Sequence, residues 1–471
     1  MSKQNSFLKK LLSNTFLFAI GSFSTRILIF LLVPLYARTL ETKEYGVIDL
    51  ITVTVSLLLP IFGLNIHEAV LRFLLSKKED SKIILGIGFQ VTIIGFIIVC
   101  LFSPLILGFL NLGSYYGFFV LSYLITSLKN LLLYYARGLE KIKLIIKLSI
   151  LDTIMLLGCN LILLYVYRLG IEGYYISLLV SGTIITILYT ISLKIDLTYF
   201  FKRKDSNIRK NMFKYSLPMV PNSLSWWVSN TSDKYILNYF SGVSTTGLYS
   251  MAYKVPSLLN TITSIFMQAW QISSVEEFEN GRTESFSKVY KTLFSINILV
   301  CSALIIFAKP ISSIMFGETF KEAFYFVPIL LVAYFFNGLA SYLGTIYTSA
   351  MVTSFLFYST AYGGILNIIL NIYLIPNYGA YGASFATLSS YMLIWIVRLY
   401  NSKKIVKISW NKLIDSVQIV ILICLALLVS FSSISRYIYL FVYLLLLFLN
   451  KKMFIDFYNL FSKLLSKKRN R

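Results

Sequence analysis

Four basic side chains lie inside long apolar runs of the sequence: Arg26, Lys129, Lys234 and Lys254. A charge at the centre of a membrane helix costs about 2.5–3.5 kcal/mol on insertion scales, so each of these residues requires a partner or a role. Fixed cations beside hydroxyl groups bind anions through charge-assisted hydrogen bonds. The chemistry that they predict is recognition of an anionic ligand.

Polar side chains accompany three of these cations at helical spacing. Residues three, four or seven positions apart share one face of an α-helix. Such faces contain Ser22 with Arg26, Trp227 and Asn230 with Lys234, and Ser250 with Lys254, and a further polar face begins at Asp49. The eight candidate binding residues are Arg26, Lys254, Lys234, Asp49, Trp227, Asn230, Ser22 and Ser250.

The composition defines the environment in which these residues must be placed. Hydrophobic residues make up 57% of the 471 residues, and the mean hydropathy is +0.75, far above the usual apolar content of about 45–50% in soluble domains. Only 13% of the residues are charged, yet their formal sum is +23. The sequence therefore predicts an integral membrane protein, with anionic lipid surfaces and anionic substrates as partners and no nucleic acid.

The apolar runs predict about fourteen transmembrane helices, because a bilayer core of about 30 Å requires about 20 helical residues. Their predicted bounds are 14–38, 47–67, 83–108, 116–136, 148–167, 173–193, 215–238, 245–273, 292–308, 323–348, 354–375, 381–400, 413–431 and 435–450. When Arg38, Arg398 and Arg436, at the ends of their spans, are counted with the adjacent connections, 33 basic residues fall on the side of the N-terminus and 6 on the other side. This asymmetry predicts a multi-pass membrane protein with both termini cytoplasmic.

Two pairs of glycine-rich turns recur about two hundred residues apart. The sequence around Gly46 resembles that around Gly247, and the turn at Gly170 resembles that at Gly379. This spacing predicts a duplication of six helices, which is a common signature of transporters. The predicted domains are an N-terminal lobe (1–193), a basic cytoplasmic linker (194–214), a C-terminal lobe (215–402), and two further helices with a basic tail (403–471).

The sequence contains no motif that indicates an enzyme, a cofactor or a metal. The four cysteines lie inside apolar runs without paired or metal-binding spacing. There is no D-x-D pair, no Ser/His/Asp set and no Walker-type glycine loop, and the predicted outer connections are short. The basic N-terminus followed by an apolar run resembles a signal peptide but lacks a cleavage site, so we interpret it as the first membrane helix.

Four motifs carry a resemblance to a known family. They begin at Asn14 (NTFLFAIGSFSTRILIFLLVPLYARTLETKEYGVID), Tyr215 (YSLPMVPNSLSWWVSNTSDKYIL), Gly247 (GLYSMAYKVP) and Tyr378 (YGAYGASFAT). In this order the chain resembles the Wzx-type O-antigen and capsule repeat-unit flippases of the MOP (MATE-like) superfamily. The resemblance covers nearly the whole chain. It implies a bundle of two six-helix lobes around a central cavity, plus two C-terminal helices.

The resemblance also implies an activity, which is movement of an undecaprenyl-diphosphate-linked oligosaccharide from the cytoplasmic to the outer leaflet by alternating access. A cavity lined by cations and hydroxyls suits the diphosphate and the sugars of such a lipid. The coupling ions that the resemblance implies are H+ and Na+, and the polysaccharide polymerase is a candidate partner. The alternatives are a flippase for a peptidoglycan or teichoic-type precursor, and a multidrug or cation antiporter.

Other intramembrane charges have structural interpretations. Lys129 and Asp152 are expected to pair between the fourth and fifth spans. Glu68 and Arg72 are spaced i to i+4 and are expected to form a local pair on one helix. Tryptophans in membrane proteins more often anchor helices at the interface or fill gaps between them. Trp227 is the one tryptophan that we keep as a candidate for stacking on a sugar ring.

Overall fold

The computed structural model of the protein describes residues 30–76, 79–196, 206–350, 352, 354–408, 411–432 and 436–451. Every regular element within these ranges is helical, and no β-strand occurs in them. Nine of the described helices are long and apolar enough to cross a membrane. The predicted all-α, polytopic membrane bundle is therefore confirmed. The chain folds as two compact units, one that ends at Ser232 and one that begins at Asp233.

The first unit consists of eight helices and the beginning of a ninth. These are α1 (Phe30–Thr39), α2 (Thr42–Phe62), α3 (Ile66–Ser76), α4 (Ser81–Phe109), α5 (Tyr116–Gly138), α6 (Ile142–Asn160), α7 (Gly170–Ser192), α8 (Ser206–Ser216) and part of α9 (Met219–Ala252). A π-helical segment, Leu161–Val166, extends α6.

The second unit contains the rest of α9 and seven further helices. These are α10 (Lys254–Glu279), α11 (Glu284–Ile306), α12 (Ala308–Phe316), α13 (Val327–Ser349), α14 (Ser354–Ser402), α15 (Lys412–Phe431) and α16 (Arg436–Leu449). Together with α12, the 3-10 helix Lys321–Phe326 occupies most of the predicted outer connection from 309 to 322, so much of that connection is helical.

Two glycines divide long helices where the sequence predicts separate spans. Gly242 within α9 has a φ of 80° and Gly379 within α14 has a φ of 51°, and both residues have non-helical backbone angles. A φ in this range is easily adopted only by glycine. Each of α9 and α14 is therefore two helices joined at a single glycine.

The helix starts have identifiable sequence causes. A capping box begins α2, in which the side chains of Glu41 and Glu44 each accept a hydrogen bond from the backbone of the other. The side chain of Asp80 accepts from the Lys82 N–H at the start of α4, and that of Asn411 accepts from the Ile414 N–H at the start of α15. These bonds satisfy donors that the first helical turn leaves without partners.

The second predicted span is broken where the sequence predicts a continuous helix over 47–67. The α2 helix ends at Phe62, and Leu64 and Asn65 adopt left-handed φ angles of 51° and 49° before α3 begins. Gly95 of α4 lies against this break, since a Cβ at Gly95 would be 2.4 Å from the Phe62 carbonyl oxygen. The prediction was wrong here because Pro60, which lacks a backbone donor, weakens the last turn of α2.

Each unit has its own apolar core. In the first unit, buried residues of α3 to α8 form one cluster, to which α8 contributes Ile208 and Met212. The predicted linker therefore contains a helix that packs on the first unit. In the second unit, α13 is central, and most of its residues from Val327 to Ser349 are buried.

The two units contain similar contacts between turns at corresponding positions. In the first unit, the Ile171 N–H donates to Oε1 of Glu44 at 3.2 Å, and a Cβ at Gly170 would lie 2.4 Å from the same oxygen. In the second unit, a Cβ at Gly379 would lie 3.6 Å from Oγ of Ser241. A duplicated lobe is expected to show such matching contacts. The duplication itself, like the predicted domain boundaries, stays a prediction.

Candidate functional site

The first part of α9 is unusually polar for a membrane helix. Nine of the thirteen residues from Asn222 to Lys234 are polar or charged, although the helix before Gly242 has the length of a membrane span. Hydrocarbon does not solvate such side chains, so a helix of this composition faces protein or an aqueous lumen along much of its surface. This stretch holds three of the eight candidate residues.

Hydrogen bonds from side chains attach the beginning of α9 to α2 and α3. The indole Nε1 of Trp227 donates to the Val53 carbonyl at 2.9 Å and lies 3.1 Å from Oγ of Ser56. The Asn65 Nδ2 donates to Oγ of Ser223 at 2.9 Å. The polar edge of Trp227 is therefore used for helix packing, which is the more frequent role that the sequence suggested for it. Its sugar-stacking role stays a prediction.

The remaining candidate residues of the polar faces are placed differently. Asp49 is half-buried in α2, and Asn230 is exposed on α9. Ser250 is buried near the end of α9. Ser22 and Arg26 lie outside the described residues, so the structure does not place them.

A buried carboxylate lies in the polar part of the second unit. Asp233 exposes 3% of its surface, and its Oδ2 accepts hydrogen bonds from the hydroxyls of Tyr249 at 2.9 Å and Tyr253 at 3.0 Å. Its Oδ1 accepts from the Lys234 N–H at 2.9 Å. The Tyr249 hydroxyl also lies 3.4 Å from Oγ1 of Thr387 on α14. Three donors therefore stabilise a carboxylate that is removed from water.

Further tyrosines extend this cluster. The ring of Tyr253 contacts that of Tyr334 on α13 at a centroid distance of 5.9 Å, and Tyr334 contacts Tyr391 on α14 at 6.1 Å. Carboxylate and hydroxyl oxygens together are ligands for a proton or a hard cation. We define the Asp233 cluster as Asp233 with Tyr249, Tyr253 and Thr387.

Sequence reasoning considered Asp233 only as a neighbour of Lys234. The available signal was a carboxylate in a predicted span with tyrosines sixteen and twenty residues later in the chain. This signal is weak, because those tyrosines lie beyond the break at Gly242. Only the fold shows that they return to the same carboxylate.

The two candidate cations of the second unit differ in their surroundings. The Nζ of Lys234 lies 5.8 Å from the centroid of the Tyr253 ring, which is within the range of a cation–π interaction. Lys254 is half-buried at the first position of α10, where its carbonyl accepts a hydrogen bond of 2.6 Å from the Ser257 hydroxyl. The structure thus brings Lys234 to the Asp233 cluster and places Lys254 directly after Tyr253 in the chain.

The predicted ion pair between Lys129 and Asp152 is confirmed. The Lys129 ammonium bonds Oδ2 of Asp152, and the pair joins α5 to α6 inside the first unit. Both side chains are partly buried. This pairing explains how two charges are accommodated within membrane helices.

Arg398 was assigned to a cytoplasmic connection, and that assignment was wrong. The residue is buried within α14. Its Nε donates to the Ser359 hydroxyl at 2.9 Å, its Nη1 to the Ala340 carbonyl at 2.8 Å, and its Nη2 to the Thr360 hydroxyl at 2.9 Å. The guanidinium carries several donors in one plane, so it links α13 to both parts of α14. These hydrogen bonds make burial of its charge possible.

The predicted local pair of Glu68 with Arg72 is also corrected. The described residues include the ion pairs Lys129–Asp152, Arg282–Glu277 and Lys321–Glu318, but Glu68 and Arg72, which the structure also describes, do not form one. The His67 ring packs edge-on against Tyr134 at a centroid distance of 4.6 Å. The start of α3 therefore contacts α5 through the ring of His67.

The part of the chain that the structure describes contains no cluster of metal-binding side chains. No group of three or more His, Cys, Asp or Glu side chains there could hold a metal ion. The four cysteines are free, and Cys301 is buried.

The sequence matches the family described as "polysaccharide biosynthesis protein" over residues 11–271, which is more than half of the chain. An uncharacterized membrane protein of Methanocaldococcus jannaschii is 25% identical over 79% of this chain and 92% of its own length. A probable low-salt glycan biosynthesis flippase of Haloferax volcanii is 23% identical over half of each protein.

Solved structures share the fold at low identity. The lipid II flippase MurJ, in an inward closed conformation, matches 94% of this chain and 99% of its own with a TM-score of 0.72 and 15% identity. An inward-facing MATE multidrug resistance transporter of the MOP superfamily matches 82% of this chain and 97% of its own, with a TM-score of 0.69 and 13% identity. Because the family match over residues 11–271 covers more than half of the chain, the chain belongs to the polysaccharide biosynthesis protein family.

Proposed function

We propose that the protein is a flippase that moves an undecaprenyl-diphosphate-linked oligosaccharide from the cytoplasmic to the outer leaflet of the bacterial plasma membrane. The observation that carries this proposal is the polar stretch from Asn222 to Lys234 in a helix of bilayer length. A family of polysaccharide biosynthesis requires a polar path through the membrane for sugars. A helix of this composition supplies one wall of such a path.

The candidate residues have distinct roles in this proposal. Arg26, Lys234 and Lys254 provide cations for the diphosphate, whose charge is satisfied best by charge-assisted hydrogen bonds. Ser22, Ser250, Asn230 and Asp49 offer hydrogen bonds to sugar hydroxyls, and Trp227 offers an aromatic surface to a sugar ring. The polyprenyl tail remains in the bilayer while the head group crosses.

We further propose that transport is coupled to H+ or Na+ binding at the Asp233 cluster. A carboxylate with 3% exposure is costly to keep charged, even with three hydrogen-bond donors. Binding of a cation there removes that cost and changes the hydrogen bonds of Tyr249 and Tyr253, which join the first part of α9 to its second part and to the residue that follows it. Cation binding can thereby favour one conformation of the second unit over another.

The test of the cargo uses cells in which synthesis of the protein is switched off. The expected result is accumulation of a lipid-diphosphate-linked oligosaccharide on the cytoplasmic leaflet, with loss of surface polysaccharide. The mass of the trapped lipid identifies the repeat unit. Accumulation of a peptidoglycan or teichoic-type precursor would instead assign the protein to that cargo. Normal polysaccharide without a trapped lipid, combined with drug sensitivity, would favour the antiporter alternative.

The test of the site combines Arg26→Gln with Lys254→Gln in one protein. We expect transport of the lipid-linked oligosaccharide to be lost while the protein still folds and reaches the membrane. Lys309→Gln, which removes an exposed cation at the start of α12, is the control and leaves transport unchanged. Full transport by the double variant would overturn the assignment of the diphosphate to these cations.

A further inference from the structure

The helix α8 is attached to the first unit along one narrow stripe. Ile208, Met212 and Ser216 are buried and follow each other at intervals of four residues. Ile208 and Met212 belong to the apolar core cluster that α3 to α7 also form. The rest of the helix is largely exposed. The α8 helix is thus an amphipathic element fixed to the end of the bundle, rather than a flexible connection.

The exposed side of α8 is cationic and carries no acidic residue. Arg209, Lys210 and Lys214 are all exposed, and between Ser206 and Ser216 there is neither Asp nor Glu. Tyr215 and Leu217 follow the last of these cations with 39% and 47% of their surfaces exposed. Cations next to exposed aromatic and aliphatic side chains are typical of helices that lie in the interface of a membrane.

Other cations of the first unit surround the same end of the bundle. They belong to the ends of α5, α6 and α7 that contribute to the core cluster with α8. The exposed members are Arg137, Lys141, Lys143, Lys147 and Lys194. The distribution of basic residues predicts that this end is cytoplasmic, where the leaflet surface is anionic.

The depth of α8 favours a lipid headgroup over a soluble ligand. The α4 helix has 29 residues, which corresponds to about 43 Å at about 1.5 Å per residue, close to the full thickness of a bilayer with its headgroups. Arg209 of α8 hydrogen-bonds Gln90, which is ten residues into α4. Gln90 is thus about 15 Å from the start of a helix that matches the bilayer, so the α8 helix lies beside the first third of α4 and within the thickness of the membrane.

We propose that α8 is an anionic-lipid binding element that holds the first unit to the phosphate groups of cytoplasmic-leaflet phospholipids through Arg209, Lys210 and Lys214. The ligand chemistry is a lipid phosphate, and its source is the bulk anionic phospholipid rather than the transported lipid. Each cation near an anionic leaflet contributes roughly a fivefold gain in affinity. The three together retain anionic lipids at the first unit during turnover.

The experiment uses the full-length purified protein and native mass spectrometry. The probes are phosphatidylglycerol, phosphatidylcholine and undecaprenyl diphosphate, each added to the detergent-solubilised protein at the same concentration. The variant is Arg209→Gln with Lys210→Gln and Lys214→Gln. The matched control is Lys288→Gln with Lys403→Gln and Lys404→Gln, which removes three exposed cations from the second unit. Circular dichroism and gel filtration establish that both proteins are folded.

The expected result is that phosphatidylglycerol retention by the α8 variant falls at least fivefold, while the control variant retains it. Lys210→Arg with Lys214→Arg keeps the charges and is expected to keep the lipid. Equal losses in the variant and the control would show a general effect of net charge and overturn the proposal. Selective loss of undecaprenyl diphosphate would assign the surface to the cargo and also overturn it. Neither outcome depends on transport, so failure here is distinct from failure of the flippase function.

Discussion

The Tyr249 hydroxyl donates a hydrogen bond of 2.9 Å to the buried Oδ2 of Asp233, although a glycine break separates the two residues within α9. The Tyr253 hydroxyl donates to the same oxygen. A proton placed on that oxygen would turn an acceptor of two bonds into a donor, so at least one tyrosine would have to change its partner. The state of the carboxylate is therefore linked to the geometry of the turn between α9 and α10.

Replacement of Asp233 by Asn is expected to uncouple transport from its ion gradient. The amide is close in shape to the carboxyl group but cannot bind and release a proton or hold a cation by charge. We expect the rate of polysaccharide export to fall at least tenfold and to lose its sensitivity to ionophores. Export is measured as the appearance of surface polysaccharide after induction of the gene.

Tyr249→Phe is the control for this change, because it keeps the Asp233 charge and removes one donor. It is expected to lower the export rate but to preserve ionophore sensitivity. Asp233→Asn with normal export and unchanged ionophore sensitivity would exclude the cluster as the coupling site.

Lys234 is expected to act through its charge. Lys234→Gln keeps a polar side chain but removes the cation, and the loss of one charge-assisted contact of about 1.5 kcal/mol corresponds to about tenfold weaker binding of a diphosphate lipid. Lys234→Arg is expected to retain most of the affinity. The measurement is a titration of the thermal-unfolding midpoint with undecaprenyl diphosphate, and equal titrations for all three proteins would contradict a substrate role.

Gly95 is expected to be intolerant of a methyl group. A Cβ there would lie 2.4 Å from the Phe62 carbonyl oxygen at the break between α2 and α3. Gly95→Ala should destabilise the protein by about 1–3 kcal/mol through overpacking, seen as a lower thermal-unfolding midpoint. Gly158→Ala in α6 is the matched control, since no heavy atom lies within 4 Å of its added Cβ. A midpoint for Gly95→Ala at or above that of Gly158→Ala would contradict this description of the break.

Arg398 is expected to stabilise the second unit through the shape of its guanidinium. Lysine keeps the charge but cannot reach the Ser359 and Thr360 hydroxyls and the Ala340 carbonyl at once. Arg398→Lys should therefore cost about 2 kcal/mol or more, since buried partners are left unsatisfied. Lys403→Arg, at an exposed position on the same side of the unit, should leave the thermal midpoint unchanged. The prediction fails if both variants unfold at the wild-type temperature.

The Lys129–Asp152 pair allows a charge-exchange test. Either single exchange, Lys129→Asp or Asp152→Lys, places like charges together and should destabilise the protein by about 1–3 kcal/mol, discounted because both side chains are partly exposed. The double exchange restores an ion pair and should recover most of this loss. A double variant as unstable as the sum of the single variants would show that the pair does not act as a unit.

The sequence allowed prediction of the helices but not of all their contacts. Apolar runs of bilayer length and the asymmetry of basic residues depend only on local composition, so the helical bundle and the Lys129–Asp152 pair could be predicted. The break after Phe62 could not, because it combines Pro60 with a close approach by Gly95 from another helix. Tertiary contacts of this kind leave no local pattern.

The polar contacts that sequence reasoning missed have the same origin. Arg398 is close to the polar connection after its span and was therefore assigned to solvent, whereas its partners lie about forty residues earlier in the chain. Asp233 lies beside Lys234 in the sequence, which suggests a local pair, whereas its hydroxyl partners are Tyr249 and Tyr253. In both cases the decisive atoms come from distant segments, which only the fold brings together.

The single-glycine joints in α9 and α14 limit how the outer surface can be cleaved or labelled. Gly242 and Gly379 each connect two predicted spans without a loop, and the predicted topology places both joints at the outer surface. Extracellular proteases require several residues of accessible, extended chain, which these joints do not offer. A reporter peptide inserted at either joint would have to replace a left-handed glycine and would disturb the helices on both sides. At these two positions the second unit therefore offers neither a loop for proteolysis nor a site that tolerates an inserted peptide.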